Sequence, residues 1–214
     1  MLFDPLGIDR AAYRWLRDRS GNTYGYVHLF MPPVHYAKLG LLMQNNGTWN
    51  ARHIVPADYV RQVGEPTAAN GCYGLLFWTN RGTSCRGGTL PVVPAIDHRM
   101  IPSAPADLYA AVGAFHQNNF IVPGLGMTVT CTGFAGDIDP LGGTNHAASD
   151  PYHESFRILM RGVCDQHIPD PGPYEPPPVT PRFDPFEFAD PAVLFRDMAP
   201  NLYCTVLACP APAP

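Results

Sequence analysis

Proline fixes one backbone dihedral and removes an amide donor, so its distribution decides where helices and paired strands can form. Of the 25 prolines in these 214 residues, 13 fall in the 47 residues from Ile168 onward, Pro176-Pro177-Pro178 among them. That stretch cannot sustain a helix or a central strand and reads as extended, polyproline-like chain draped on a body formed by residues 1–167. Its Phe183, Phe186, Phe188, Leu194, Phe195 and Tyr203 are too apolar for a purely solvated linker, so the tail is expected to dock by its aromatics. Charge divides at the same place. The tail holds two arginines against six carboxylates, the body 12 basic against 12 acidic residues, and the net charge of -4 therefore belongs to the tail. A neutral body lacks the basic excess that nucleic acid or an anionic membrane would need.

With 46% hydrophobic and 15% charged residues, the body can bury a real core. No run of 18 apolar residues exists, and residues 1–7 have neither the charged start nor the apolar length of a signal peptide, so the chain as given reads as soluble and without a membrane span. Six cysteines (Cys72, Cys85, Cys131, Cys164, Cys204, Cys209) include no Cys-x-x-Cys, which disfavours a zinc ribbon or a thioredoxin-type pair. Their even number suits an oxidising compartment and equally suits buried free thiols. Cys72 and Cys85 flank one hairpin-like stretch and form the first candidate disulfide, with Cys204 and Cys209 the next.

Pro32-Pro33, a mostly apolar run through Leu42, and the stop Asn45-Asn46-Gly47 spell a helix with proline at its start, apolar enough to be mostly buried. The stretch from Pro56 to Val63 before Gly64 repeats that grammar. Tyr73-Gly74-Leu75-Leu76-Phe77-Trp78 reads as one strand, as do residues 108–115, 119–122 and 127–132, with turns at Asn118-Asn119 and Gly124-Leu125-Gly126. Strands so close in sequence favour an antiparallel meander, because parallel neighbours need long crossovers. Ser149 or Asp150, then Pro151 and Glu154, opens a last helix. The expected class is α/β in the α+β sense, an antiparallel sheet packed by helices, followed by an extended tail.

Self-contained catalytic motifs are absent. The only lysine is Lys38, and three residues after each of Ser20, Ser84, Ser103, Ser149 and Ser155 stand Thr23, Gly87, Ala106, Tyr152 and Ile158, so no Ser-x-x-Lys exists. Gly82-Thr83-Ser84-Cys85-Arg86 misses a nucleophile elbow at its last glycine and reads as a polar turn. His153-Glu154 lacks the second histidine of a zincin helix, and Asp137-Ile138-Asp139 begins a calcium-type loop that reaches Leu141 and Ala148 where ligands belong. His98, His116 and His146 read as satisfied polar residues. Neither a metal nor a cofactor site is expected.

Several segments in order nevertheless resemble one family. Leu2-Phe3-Asp4-Pro5-Leu6-Gly7-Ile8, Trp15 with Asp18 and Gly21-Asn22, Ala37-Lys38-Leu39-Gly40, Asn46-Gly47-Thr48-Trp49-Asn50, Ile54-Val55-Pro56, the stretch from Gly71 to Trp78, and Val122-Pro123-Gly124-Leu125-Gly126-Met127-Thr128-Val129 are similar to the second half of β-lactamase and penicillin-binding-protein-like serine hydrolases. That group includes class C β-lactamases, DD-peptidases and esterases. The resemblance spans roughly residues 2–165 and excludes the tail.

It implies acyl transfer through a serine of Ser-x-x-Lys aided by a Tyr-x-Asn tyrosine, both of which would precede Met1. This chain is then expected to be the C-terminal part of such a fold, N-terminally incomplete and inactive alone. The third active-site motif would fall on Ala111, Val112, Gly113 and Ala114, whose side chains cannot bind a substrate carboxylate, so a neutral ester, amide or peptide substrate is favoured. Ala114 would donate one oxyanion-hole N–H, a contribution worth about 3 kcal/mol in such sites. His35 stands where relatives often carry aspartate, and Lys38 becomes a solvated or snorkelling residue of a structural helix. Family habit and the even cysteine count place the protein outside the cytoplasm, and arginine-over-lysine usage with abundant Ala, Gly and Pro fits a GC-rich bacterial gene. The expected partner is the missing N-terminal half. The competing expectation is a non-catalytic extracytoplasmic binding or scaffold protein derived from the same fold.

Overall fold

The computed structural model describes residues 2–25, 28–83, 85, 98–113, 117–133 and 150–175. They form a mixed α+β body whose centre is an antiparallel sheet with helices on both faces. Two short strands, β1 (Arg14–Trp15) and β2 (Leu29–Phe30), pair near the start. Helix α1 (Pro33–Gln44) follows, then the hairpin β3 (Thr48–Trp49) and β4 (Arg52–His53), and helix α2 (Ala57–Val63).

Helix α1 begins at its proline and ends on the residues expected to stop it. Gly47 N–H donates to the Leu42 carbonyl at 2.9 Å and Asn46 N–H to Met43 at 3.1 Å, a Schellman closure with Asn46 in left-handed backbone. Gly47 also lies against the Val55 carbonyl, where any Cβ would collide. The expectation that α1 is mostly buried is corrected. Only Gly40 and Leu42 are fully buried, while Val34 is 64% and Leu41 40% exposed. Apolar residues all round a helix signal burial on every side, but the described body covers only one side. Gly40 allows the closest approach, because a Cβ there would strike the Asn119 carboxamide.

The main sheet has the order β5-β6-β7-β8-β9, an antiparallel meander as expected: β5 (Tyr73–Gly74), β6 (Phe77–Thr79), β7 (Tyr109–Gly113), β8 (Gln117–Val122) and β9 (Met127–Cys131). Two expectations are corrected here. The run from Tyr73 to Trp78 is a tight hairpin rather than one strand, turning on Leu75 (φ 33°) and Leu76 (φ 69°). Asn118 and Asn119 do not make a turn; they lie inside β8, buried. Polar side chains there look unfavourable until their partners are counted. Asn119 Nδ2 donates to the Tyr36 carbonyl at 2.8 Å, and Asn118 bonds Gly113 and Tyr152.

Strand alternation explains the two faces. Tyr109 and Ile121 pack with Val63, Met43 and Phe77 on the α1–α2 side. Ala110, Phe120 and Val122 pack on the opposite side with Tyr152, Phe156 and Met160 of helix α3 (Asp150–Arg161). Those three α3 residues recur every four positions, as the core face of a helix should. The two aromatic rings of α3 meet Phe120 edge-on at 5.2 and 5.4 Å.

A smaller cluster of Phe3, Leu6, Ile8 and Leu42 anchors the first residues under α1. Lys38, read from the sequence as a solvated or snorkelling residue of a structural helix, has a defined partner. Its Nζ donates to the carbonyls of Leu6 and Gly7 at 3.0 and 3.1 Å, tying the helix to the segment 32 residues earlier.

Cys72 and Cys85 form the expected disulfide, both fully buried. Beside it Asn80 holds an irregular segment: Nδ2 donates to the carbonyls of Ile101, Ala104 and Pro105 at 2.9–3.1 Å, and Oδ1 accepts from Ile101 N–H. After α3 the chain doubles back along it. Asp170 pairs with Arg157 at 2.7 Å and Arg161 at 2.8 Å, Gly172 accepts from His153, and Tyr174 N–H donates to Glu154. These arginine hydrogen bonds hold the Asp170 carboxyl well below the usual carboxylate range. The aromatic residues expected to dock the tail, Phe183 to Tyr203, lie outside the described residues.

Replacing Asn80 with alanine strands buried carbonyls with no donor, and a loss of about 3 kcal/mol is expected, seen as a lower urea midpoint at unchanged slope. Reducing the Cys72–Cys85 bond, which spans 13 residues, is expected to cost a similar amount, about 3 kcal/mol, in the same assay.

Candidate functional site

Three of the four proposed third-motif residues, Ala111, Val112 and Gly113, lie consecutively at the end of β7. Ala114, the expected oxyanion donor, lies outside the described residues, as do Ser84, His116, His146, Cys204, Cys209 and the Asp137–Ala148 stretch. The strand end is built from both layers. On the α1 side Tyr36 Oη donates to the Gln117 carbonyl at 3.3 Å and lies 3.5 Å from that of Ala111. On the α3 side Gly113 N–H donates to Asn118 Oδ1 at 3.2 Å, and Asn118 Nδ2 donates to Tyr152 Oη. Cys131 stands directly opposite Asn118 in the β8–β9 ladder.

Three ionisable groups thus meet around one strand end, and burial sets their state. Burial, with the neighbouring Cys131, pushes Tyr36 up to about 12. Burial raises Tyr152 as well, again helped by Cys131 and opposed by the Asn118 hydrogen bond, and burial pushes up the Cys131 thiol. All three are therefore protonated at neutral pH, and none is a base. The strand end can orient and bond a neutral carbonyl or amide through its backbone, but the described residues bring no nucleophile and base together there.

The remaining sequence candidates have structural roles. His153 is buried, its Nε2–H donating to the Gly172 carbonyl at 2.9 Å, and Glu154 pairs with Arg157, so the two hold the returning chain rather than a metal. No group of three His, Cys, Asp or Glu among the described residues is placed to hold a metal ion. His98 Nδ1–H donates to the adjacent Arg99 carbonyl at 2.6 Å, while its buried Nε2 has no hydrogen-bond partner among the described residues. His35 does not cap α1; its own N–H bonds Pro32, and no side chain caps that helix. Asp18 accepts from the N–H groups of Ser20 and Asn22, and Trp15 Nε1 donates to Tyr24, so these residues of the resemblance shape a turn. No helix among the described residues is long and apolar enough to cross a membrane.

The Asn118–Tyr152–Cys131 group was missed in the sequence because the asparagine pair looked like a turn. The signal was the alternation Asn118-Phe120-Val122 facing Cys131-Val129-Met127, which extends the strand back through both asparagines.

No protein-family model matches the chain, and no curated protein matches it in sequence.

The buried tyrosines give a pH signature. Their folded-state values lie above the unfolded value near 10. The stabilisation is therefore complete below about pH 10 and is lost as the pH rises through the folded values, because the unfolded chain releases those protons first. Tyrosinate absorbance is expected to rise in two steps, with Tyr36, Tyr109 and Tyr152 ionising only in a late step that coincides with loss of far-ultraviolet ellipticity.

Proposed function

We propose that this chain is the C-terminal part of a β-lactamase-like serine hydrolase fold, supplying the strand against which an acyl substrate is held while a Ser-x-x-Lys serine from outside these 214 residues attacks it. The reading rests on ordered segments and on chemistry. The resembling stretches fall in register with the α+β architecture: the Tyr-Gly-x-x-x-Trp stretch forms the β5–β6 hairpin, and the Val-Pro-x-Leu-x-Met-x-Val stretch forms the β8–β9 connection. The observation that carries it is the end of β7. Its ladder with β6 stops at the Trp78–Ala110 pair while the strand runs on to Gly113, so the proposed third-motif residues have an unpaired edge among the described residues. An acyl-enzyme lying there would meet backbone donors and acceptors but, among the described residues, no cationic side chain, which favours a neutral ester or amide. No cofactor enters this chemistry, and the disulfide agrees with an extracytoplasmic site of action.

The second reading, a non-catalytic extracytoplasmic binding or scaffold protein, is favoured by one observation. Tyr36, Tyr152 and Cys131 around the strand end are all held protonated, so no side chain described there can activate a nucleophile.

Native protein captured from its source with an antibody and treated with a fluorophosphonate separates these. The hydrolase reading expects a labelled serine in a polypeptide that contains this sequence or co-purifies with it, and no label on the 214 residues expressed alone. A 23.4 kDa species that is monodisperse, unfolds cooperatively and brings no reactive serine with it would overturn that reading in favour of the scaffold. Labelling of the isolated chain that disappears in Ser84→Ala would overturn both.

A further inference from the structure

The β1–β2 pair turns one face outward. Trp15 and Leu29 are opposite each other and pack against the cluster of Phe3, Leu6, Ile8 and Leu42, so their neighbours Arg14 and Phe30, also opposite each other, stand on the outer face. Phe30 is 56% exposed. The His28 ring lies nearly parallel to it, with planes 19° apart and centroids at 6.5 Å, and the Tyr24 ring meets His28 edge-on at 5.5 Å. Main-chain bonds hold this row of rings. Leu16 N–H donates to the His28 carbonyl at 3.1 Å, Tyr24 N–H to the Leu16 carbonyl at 3.2 Å, and Trp15 Nε1 to the Tyr24 carbonyl at 2.6 Å. His28 keeps its place in left-handed backbone (φ 65°), a conformation unfavourable for a residue with a side chain.

The same segment carries cations without counter-charges. Residues 10–30 hold four arginines and one carboxylate, a local excess inside a body that is neutral as a whole. Arg10 lies over the Tyr13 ring at 4.7 Å, and Asp18 is engaged by the N–H groups of Ser20 and Asn22. Arg14, Arg17 and Arg19 are exposed and enter no ion pair among the described residues. A guanidinium offers donors and no acceptor, so it calls for anionic oxygens, while parallel ring faces call for flat groups.

We propose that the outer face of β1–β2 binds single-stranded nucleic acid, with bases stacking on Phe30 and His28 and phosphates meeting Arg14, Arg17 and Arg19. Every base has a ring face, so such a surface holds the strand without reading its sequence. A sugar chain would need acceptors for its hydroxyl groups beside the rings, and the one carboxylate there is already engaged by backbone. A bilayer would need a broad apolar face, whereas this row includes a polar imidazole and is flanked by an arginine.

Fluorescence anisotropy of a labelled oligothymidine of about ten nucleotides, titrated with the full chain at about 50 and 200 mM salt, tests this. The hydrolase reading is decided separately, by fluorophosphonate labelling. Three phosphate contacts predict that log affinity falls against log salt with a slope of about -2. Phe30→Ala is expected to weaken binding at least about fivefold with the slope unchanged, and Arg17→Ala to make the slope shallower by about 0.7. Both positions are exposed, and an unchanged far-ultraviolet spectrum controls for the fold. No binding at about 100 μM protein in the lower salt, or binding that neither substitution alters, would overturn the proposal. So would polyglutamate or phosphatidylglycerol vesicles binding as tightly as the oligonucleotide and losing affinity in the same variants, which would assign the face to an acidic peptide or to a membrane.

Discussion

Every layer of this protein is organised around β8, a strand buried on both faces. It has to satisfy two incompatible surroundings with alternate side chains. Phe120 and Val122 meet the aromatic rings of α3, while Asn119 and Ile121 meet α1 and α2. Five of its six residues are buried. A strand of that kind cannot slip by one position, because the exchange would press Asn119 into the α3 core and Phe120 against the Gly40 backbone. The register of β7 and β9, the seat of α1, and the position of the candidate strand end all follow from it.

Much of the architecture was legible in the sequence for local reasons. Prolines at the start, with the Asn46-Gly47 stop of α1 and Gly64 after α2, delimit the two helices because they act through backbone geometry alone. The short turns joining β7, β8 and β9 favour antiparallel neighbours, because parallel ones need long crossovers. What escaped depended on tertiary partners. Leu75-Leu76 carries no turn signature, so its hairpin read as continuous strand, and the Asn118-Asn119 pair carries a turn signature that its buried hydrogen bonds override. The exposure of Val34 and Leu41 was equally invisible, since apolar content reports what a helix prefers to bury and not what is there to cover it.

The segments that resemble the serine hydrolases prove to be builders of turns and contacts. Asp18 organises a loop, Lys38 ties the first turn to α1, and Gly47 admits the Val55 carbonyl. A resemblance made of such residues speaks to how the chain folds more directly than to what it catalyses. The candidate site was legible only in part, at Ala111, Val112 and Gly113. Its polar surroundings come from Asn118, Tyr152 and Cys131, spread over two strands and a helix that no local spacing connects.

At the returning segment, two arginines, a histidine and a glutamate fix residues 170–174 against α3. One carboxylate, Asp170, serves both Arg157 and Arg161, so the two ion pairs are shared rather than independent. Loss of that single side chain would free both arginines from the returning segment at once.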